Sequence, residues 1–175
     1  CKYLAAKNID FEIVDLRLSN LFPQKTQIAD IRDLDTLRKT VTGDIVIHLA
    51  AVHRDDIRDK DQYWQTNVYG SSNVAQLCTE KNIKKIIFTS SVAVYGSVKK
   101  STDETGITNP SNDYGRTKLE AENILNDWQK NQDNSLIIVR PTVIFGEGNR
   151  GNVFNLINQI FRKRFLMIGQ GKNIK

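Results

Sequence analysis

Five short β-rich runs recur along the chain with helix-period stretches between them, and this alternation is the feature that most limits the fold. The runs are Phe11 to Asp15, Thr26 to Ala29, Asp44 to Leu49, Lys85 to Ser90 and Ser135 to Arg140. Leu34 to Thr40, Gln62 to Lys81, Tyr114 to Lys130 and Val153 to Phe161 space their apolar residues as helices do. Strands alternating with helices predict a parallel sheet joined by crossovers. DIVIHLA and KIIFTS are apolar almost without alternation, which predicts strands buried on both faces and hence a doubly wound α/β sheet.

The ends are abrupt. CKYLAAKNID reads as the tail of a helix, with Leu4 and Ala5 packed on the sheet and Asn8 as its stop. A sheet of this kind that binds a nucleotide opens on a strand, a glycine-rich turn and a helix, and no GxxGxxG occurs here. The expectation is that a first strand and its phosphate-cradling loop precede Cys1. Phe165 to Ile168 and the GQGKNIK that follows read as the start of a further element.

At 175 residues, 39% hydrophobic and 26% charged, the composition is that of a globular domain with a real core. No apolar run approaches the roughly 20 residues that span a bilayer, and the start lacks the apolar core of a secretion signal. A cytoplasmic protein is expected. Cys1 and Cys78 have neither CxxC nor His-ligand spacing, so no metal site is expected, and both read as small buried hydrophobes. The net charge of +5 admits nucleic acid, anionic lipid or a diphosphate as partners. The basic residues are dispersed, and the clusters Lys99-Lys100 and Arg162-Lys163-Arg164 read as a solvated loop and a helix end. No nucleic-acid partner is expected.

Ligands of doubly wound sheets sit outside the carboxyl ends of the strands. This directs attention to Asp15, Asp30, Ala50-Ala51, Ser90-Ser91 and Pro141-Thr142. Asp15 closes its strand where a carboxylate accepts both hydroxyls of an adenosine ribose and repels a 2′-phosphate, which favours NAD over NADP; Arg17 two residues later argues the other way. Tyr114-Gly-Arg-Thr-Lys118 puts a phenol and an ammonium on one face of a predicted helix. A lysine cation there favours the phenolate, which can take a proton from an alcohol. YxxxK also arises by chance, as a tyrosine on a helix with a surface lysine. Ser91 ends the strand before it, where a hydroxyl serves a substrate oxygen or a turn's own backbone.

In combination these segments are more specific. DIVIHLAA, TSSVAVYG, YGRTK and VRPTVIFG, in that order, resemble the extended short-chain dehydrogenase/reductase family of nucleotide-sugar epimerases and dehydratases. The resemblance implies a Rossmann-like fold binding NAD, with Ser91, Tyr114 and Lys118 as catalytic trio and Lys118 also on the nicotinamide ribose. It implies further cofactor contacts at Asp15, Asp30, Ile31, Leu49, Ala50, Ala51, Asn67, Ser90 and Pro141, and a homodimer built on the two long helices. On this reading residues 1–164 are a partial NAD-binding domain, and 165–175 begin a substrate-binding portion.

AAVHRDDI, FTSSVAVYG and GNRGNVFNLINQI are similar to bacterial 4-epimerases acting on N-acetylglucosamine carried by a polyprenyl diphosphate. That similarity implies a diphosphate-linked sugar as substrate, with Asn149, Arg150 and Asn152 near its sugar or diphosphate and His53 and Arg54 near the reacting ring. A lipid carrier would add peripheral membrane association. His53-Arg54-Asp55-Asp56 equally suits a polar loop with internal ion pairs. The dehydratase branch carries an Asp-Glu pair where Val92-Ala93 stand, so elimination is disfavoured. Epimerisation, reduction of a 4-keto sugar by the same trio, and a non-catalytic NAD-binding scaffold remain.

Overall fold

In the computed structural model the described residues are 1–53, 59–98, 100–130 and 133–167. Helix α1 (Lys2–Ala6) leads to strand β1 (Ile13–Asp15), a 3-10 turn at Pro23–Lys25, β2 (Thr26–Ile28), α2 (Leu34–Thr40) and β3 (Ile45–His48). A long helix follows. It starts as α3 (Asp61–Tyr63), passes through a π-helical stretch at Trp64–Tyr69 and continues as α4 (Gly70–Glu80), with helical backbone angles at both junctions. Then come β4 (Lys85–Thr89), a 3-10 turn at Val92–Tyr95, α5 (Asp113–Lys130), β5 (Ser135–Val139) and α6 (Asn152–Phe161).

All pairings among these strands are parallel, as the crossover pattern requires. They form two sheets, β1–β2 and β3–β4–β5. β1 and β3 do not pair with each other. The Glu12 carboxylate, just before β1, instead accepts hydrogen bonds from the backbone N–H groups of Thr42 and Gly43, just before β3, at 2.6 and 3.1 Å. Local chemistry places α2: Asp33 caps it by accepting from Thr36 N, Asp35 lies in its first turn and Arg38 and Lys39 in its last, each favourable to the helix dipole.

The main core lies between β4 and the helices α4 and α5, where Val74, Cys78, Ile86, Phe88, Ala121, Leu125 and Trp128 are buried together. A second cluster joins Ala29, Leu37 and Leu77. The inference that these strands are buried on both faces is corrected here. Ile45 and Ile47 of β3 and Ile137 and Val139 of β5 are exposed, because side chains alternate across a strand and, among the described residues of the first unit, it is the opposite face that packs on α4 and α5. Cys78 is buried and its thiol pKa is pushed up to about 12 by desolvation, but Cys1 is exposed. Ala5 is exposed too, so the packing expected of it is not seen, whereas Leu4 is half-buried.

The chain divides into two compact units, the first ending at Arg140 and the second starting at Pro141. In the second, Gly151 caps α6, and Phe154, Leu156, Ile157 and Ile160 on that helix are exposed. No described helix is long and apolar enough to cross a membrane.

Candidate active site

The site is built where β4 ends. Ser91 adopts extended backbone and caps the 3-10 turn, its Oγ accepting from Ala93 N at 3.1 Å. The hydroxyl therefore serves its own turn, as one reading of the sequence had it, while its proton can still be donated to a second acceptor. Helix α5 comes down on this turn with its first residues. A Cβ on Gly115 would lie 2.5 Å from the carbonyl oxygen of Ala93, so the glycine of YGRTK is what permits helix and turn to meet backbone to backbone. The other side of the turn is equally close: Gly96 has φ +67° and its absent Cβ would fall 2.0 Å from Asn109 O.

Tyr114 and Lys118 follow at the start of α5, one turn apart on one face. Tyr114 is half-buried. Lys118 is buried, with Nζ 4.1 Å from the centroid of the Phe88 ring. Desolvation pushes its pKa down to about 8, against the opposing pull of the Glu122 carboxylate one turn further on.

Behind the lysine stands a network of which the sequence had pointed to Asn67 alone. His48, at the end of β3, is buried with its ring 5.0 Å from that of Phe88 and Nε2 2.9 Å from Ser71 Oγ. Ser71 donates its proton to Asn67 O at 2.6 Å, so His48 Nε2 must carry the proton that Ser71 Oγ accepts. Burial first and the Lys118 cation second hold His48 neutral, with its pKa down near 3. Asn67 is buried in the π-helical stretch; its Oδ1 accepts from Val52 N, and its Nδ2 donates to Val52 O and Thr117 Oγ1. It ties the loop after β3 to α5. Asn67 was pointed to by the family resemblance; the signal for the others was a polar residue inside an apolar run, of strand type for His48 and of helix period for Ser71 and Thr117.

A depressed histidine pKa makes a stability prediction. The stability tied to neutral His48 is fully present above its unfolded value near 6.5 and is lost as pH falls toward about 3. Between those limits it should fall by about 1.4 kcal/mol per pH unit. In His48→Gln the acid slope of denaturant-measured stability should shallow by about that amount; an unchanged slope would show that another group sets it.

The remaining expected residues lie as follows. Asp15 is exposed at the end of β1, with Oδ1 accepting from Arg17 N. Asp30 is held by Arg32 in a two-pronged ion pair, which lowers its pKa. Ile31 packs on Gly70, whose absent Cβ would lie 2.8 Å from its Cγ2, and accepts from Asn73 at its backbone oxygen. Leu49 and Ala50 are exposed, Ala51 half-buried and His53 exposed. Ser90 is buried with no hydrogen-bond partner for its Oγ among the described residues. Arg54, like Asp55, Asp56, Lys99 and the GQGKNIK tail, lies outside the described residues. Pro141, Asn149, Arg150 and Asn152 belong to the second unit, where Asn149 accepts from Gly151 N and donates to Ile144 O. No cluster able to hold a metal ion occurs among the described residues.

Across all 175 residues the sequence matches the model of the NAD dependent epimerase/dehydratase family. The chain belongs to that family. It is similar to the N-acetyl-α-D-glucosaminyl-diphospho-ditrans,octacis-undecaprenol 4-epimerase of Escherichia coli O157:H7, at 46% identity over 95% of this chain and 52% of that protein. Among solved structures it resembles the UDP-glucose 4-epimerase of Brucella ovis in complex with NAD, with TM-score 0.71 and 29% identity over 79% of this chain and 46% of that one. It also resembles the UDP-glucuronic acid 4-epimerase of Bacillus cereus in complex with NAD, with TM-score 0.66 and 27% identity over 80% and 47%. The chain thus spans about half the length of these relatives. The doubly wound, Rossmann-like α/β class and the NAD cofactor read from the motifs are those of this epimerase family.

The described residues fit that cofactor. Exposed Asp15, open Leu49 and Ala50, and the orphaned Ser90 hydroxyl all stand at the carboxyl ends of their strands, where such folds bind dinucleotides. A buried hydroxyl left unpaired costs about 1–3 kcal/mol, a cost that a ligand at this edge would remove.

Proposed function

We propose that the protein is a sugar 4-epimerase acting on an N-acetylhexosamine carried on a diphosphate, with Tyr114 as acid and base, Lys118 supporting it and Ser91 orienting the reacting oxygen. The observation that carries this is the Gly115–Ala93 contact, which sets the phenol-bearing turn of α5 directly on the turn capped by Ser91, with the Lys118 ammonium buried behind it. Bound NAD supplies a hydride acceptor that can return the hydride. Tyr114 takes the proton from the sugar C4 hydroxyl and gives it back once the keto-sugar has presented its other face. On this reading Lys118 keeps the phenolate form accessible and also bonds the cofactor ribose. Asp15 would hold the adenosine ribose, and Asp30, Ile31, Leu49, Ala50, Ala51, Ser90 and Pro141 complete the proposed cofactor contacts, with Asn67 acting through the Val52 loop it holds. His53, Arg54, Asn149, Arg150 and Asn152 are proposed for the substrate.

The polyprenyl diphosphate proposed as carrier is the one named for the 46% identical relative, which supports this reading. Such a carrier would bring a cytoplasmic enzyme, which we read as a homodimer, to the bilayer surface as a peripheral partner. Incubating the full-length protein and NAD⁺ with UDP-linked and undecaprenyl-diphosphate-linked N-acetylglucosamine, then resolving C4 epimers, should show interconversion of the lipid-linked sugar with no net NADH. Stoichiometric consumption of NADH with a 4-keto sugar would establish a reductase instead. No turnover of either class would favour a binding scaffold.

A further inference from the structure

The helix face that carries Tyr114 and Lys118 continues to Glu122, which is buried. Its carboxylate is gripped on both oxygens by Arg140, Nε to Oε1 at 3.0 Å and Nη2 to Oε2 at 2.6 Å. Arg140 follows the last residue of β5 and does more than neutralise a charge. Its Nη1 donates to the Tyr95 hydroxyl at 2.6 Å and to Glu104 O at 3.2 Å, and its guanidinium lies 5.0 Å from the Tyr95 ring centroid. Tyr95 closes the 3-10 turn that Ser91 opens. One ion pair therefore links α5, the end of β5 and the Ser91 turn.

Resting on the reading of Tyr114 and Lys118 as the catalytic pair, we propose that Glu122 and Arg140 are positioning residues. They clamp α5 to the Ser91 turn and balance the charge beside the Lys118 ammonium. The clamp is remote from the reacting atoms, so it acts through distance and field rather than contact. Removing one member of a buried pair leaves the other charge uncompensated, and the two members then act on Lys118 with opposite sign. The groups facing the ammonium are Glu122 from its own helix, neutral His48 from β3 and the Phe88 ring from β4, with Arg140 and Tyr95 beyond Glu122 and Tyr114 one helical turn before it. Among the described residues Glu122 is the anion of that set.

The test is the pH profile of kcat in the full-length protein, whose alkaline limb reports loss of the Lys118 proton. Glu122→Gln should move that limb to lower pH, because a half-buried guanidinium is left without its anion. Arg140→Met should move it to higher pH, because a bare carboxylate is left. Shifts of about half a pH unit or more in opposite directions are expected, with Kd for NAD changed less than about threefold and kcat lowered at least about tenfold. A purely structural role would lower stability and activity in both variants without separating the limbs; limbs that stay put or move together overturn the proposal.

If a single variant fails to fold, Glu122→Gln/Arg140→Met leaves no unpaired charge, and Tyr95→Phe removes only one hydroxyl. Both should show the limb at the wild-type position with kcat depressed, and full wild-type kcat in both would overturn the clamp. Tyr114→Phe run alongside separates the two readings. Turnover surviving in Tyr114→Phe removes the catalytic assignment itself, whereas an inactive Tyr114→Phe with unmoved limbs removes only the clamp.

Discussion

Tyr114→Phe in the full-length protein should lower kcat by at least about 10²-fold, the usual scale for losing a positioned general acid and base, while NAD still binds. The substitution keeps the ring, which is half-buried at the start of α5, and removes only the hydroxyl. Gly115 still meets Ala93, Lys118 still lies over Phe88, and the Ser91 turn keeps its cap. The same variant should leave the denaturation midpoint within about 1 kcal/mol of wild type. Turnover at the wild-type rate would end the assignment of this site as the seat of chemistry.

Lys118→Met should abolish turnover, by at least about 10²-fold, and at the same time stabilise the fold. Burial lowers the lysine pKa from 10.5 to about 8. The sign follows from proton counting: between those values the unfolded chain binds more protons than the folded one, so stability rises with pH across that window. At neutral pH the folded protein therefore carries a burden of about 3 kcal/mol from keeping the ammonium out of water. Methionine has similar length and no charge, and its sulfur can lie on the Phe88 ring that the lysine ammonium now covers. Chemical denaturation should show a gain of about 1–3 kcal/mol near pH 7 that shrinks toward pH 10. NAD affinity should drop too, if Lys118 holds the ribose. A variant that is less stable at neutral pH would mean that the lysine is a structural cation, held for its packing.

The strand and helix order was legible because each element carries its own local period. KIIFT and SLIIV announce strands whatever surrounds them, and Tyr114 and Lys118 announce a shared helix face by spacing alone. What the runs could not reveal was which faces are covered. Ile45, Ile47, Ile137 and Val139 look as apolar as Ile86 and Phe88, yet only the latter meet α4 and α5. Glu122 was hidden for a similar reason. A carboxylate four residues after a lysine on a helix is the pattern of an exposed ion pair, and its real partner, Arg140, comes from the far end of another strand. His48 lay within an apolar strand run, and nothing in that run distinguishes a buried neutral imidazole from an exposed one. Ser91 was legible in position and in both of its possible engagements, and the structure shows the hydrogen bond to its own turn.

The π-helical stretch at Trp64–Tyr69 has a consequence for how this segment can change length. A π turn holds more residues than an α turn, so it resets the rotational phase of everything after it. Asn67 needs one phase to clasp Val52 and Thr117; Val74 and Cys78 need another to enter the core from α4. Deleting one residue between them would turn α4 by about 100° relative to Asn67, carrying either the amide or the apolar stripe away from its partners. Substitutions in this stretch are consequently far more tolerable than single-residue deletions, and a shortened descendant would have to rebuild both the Val52 loop and the α4 packing together.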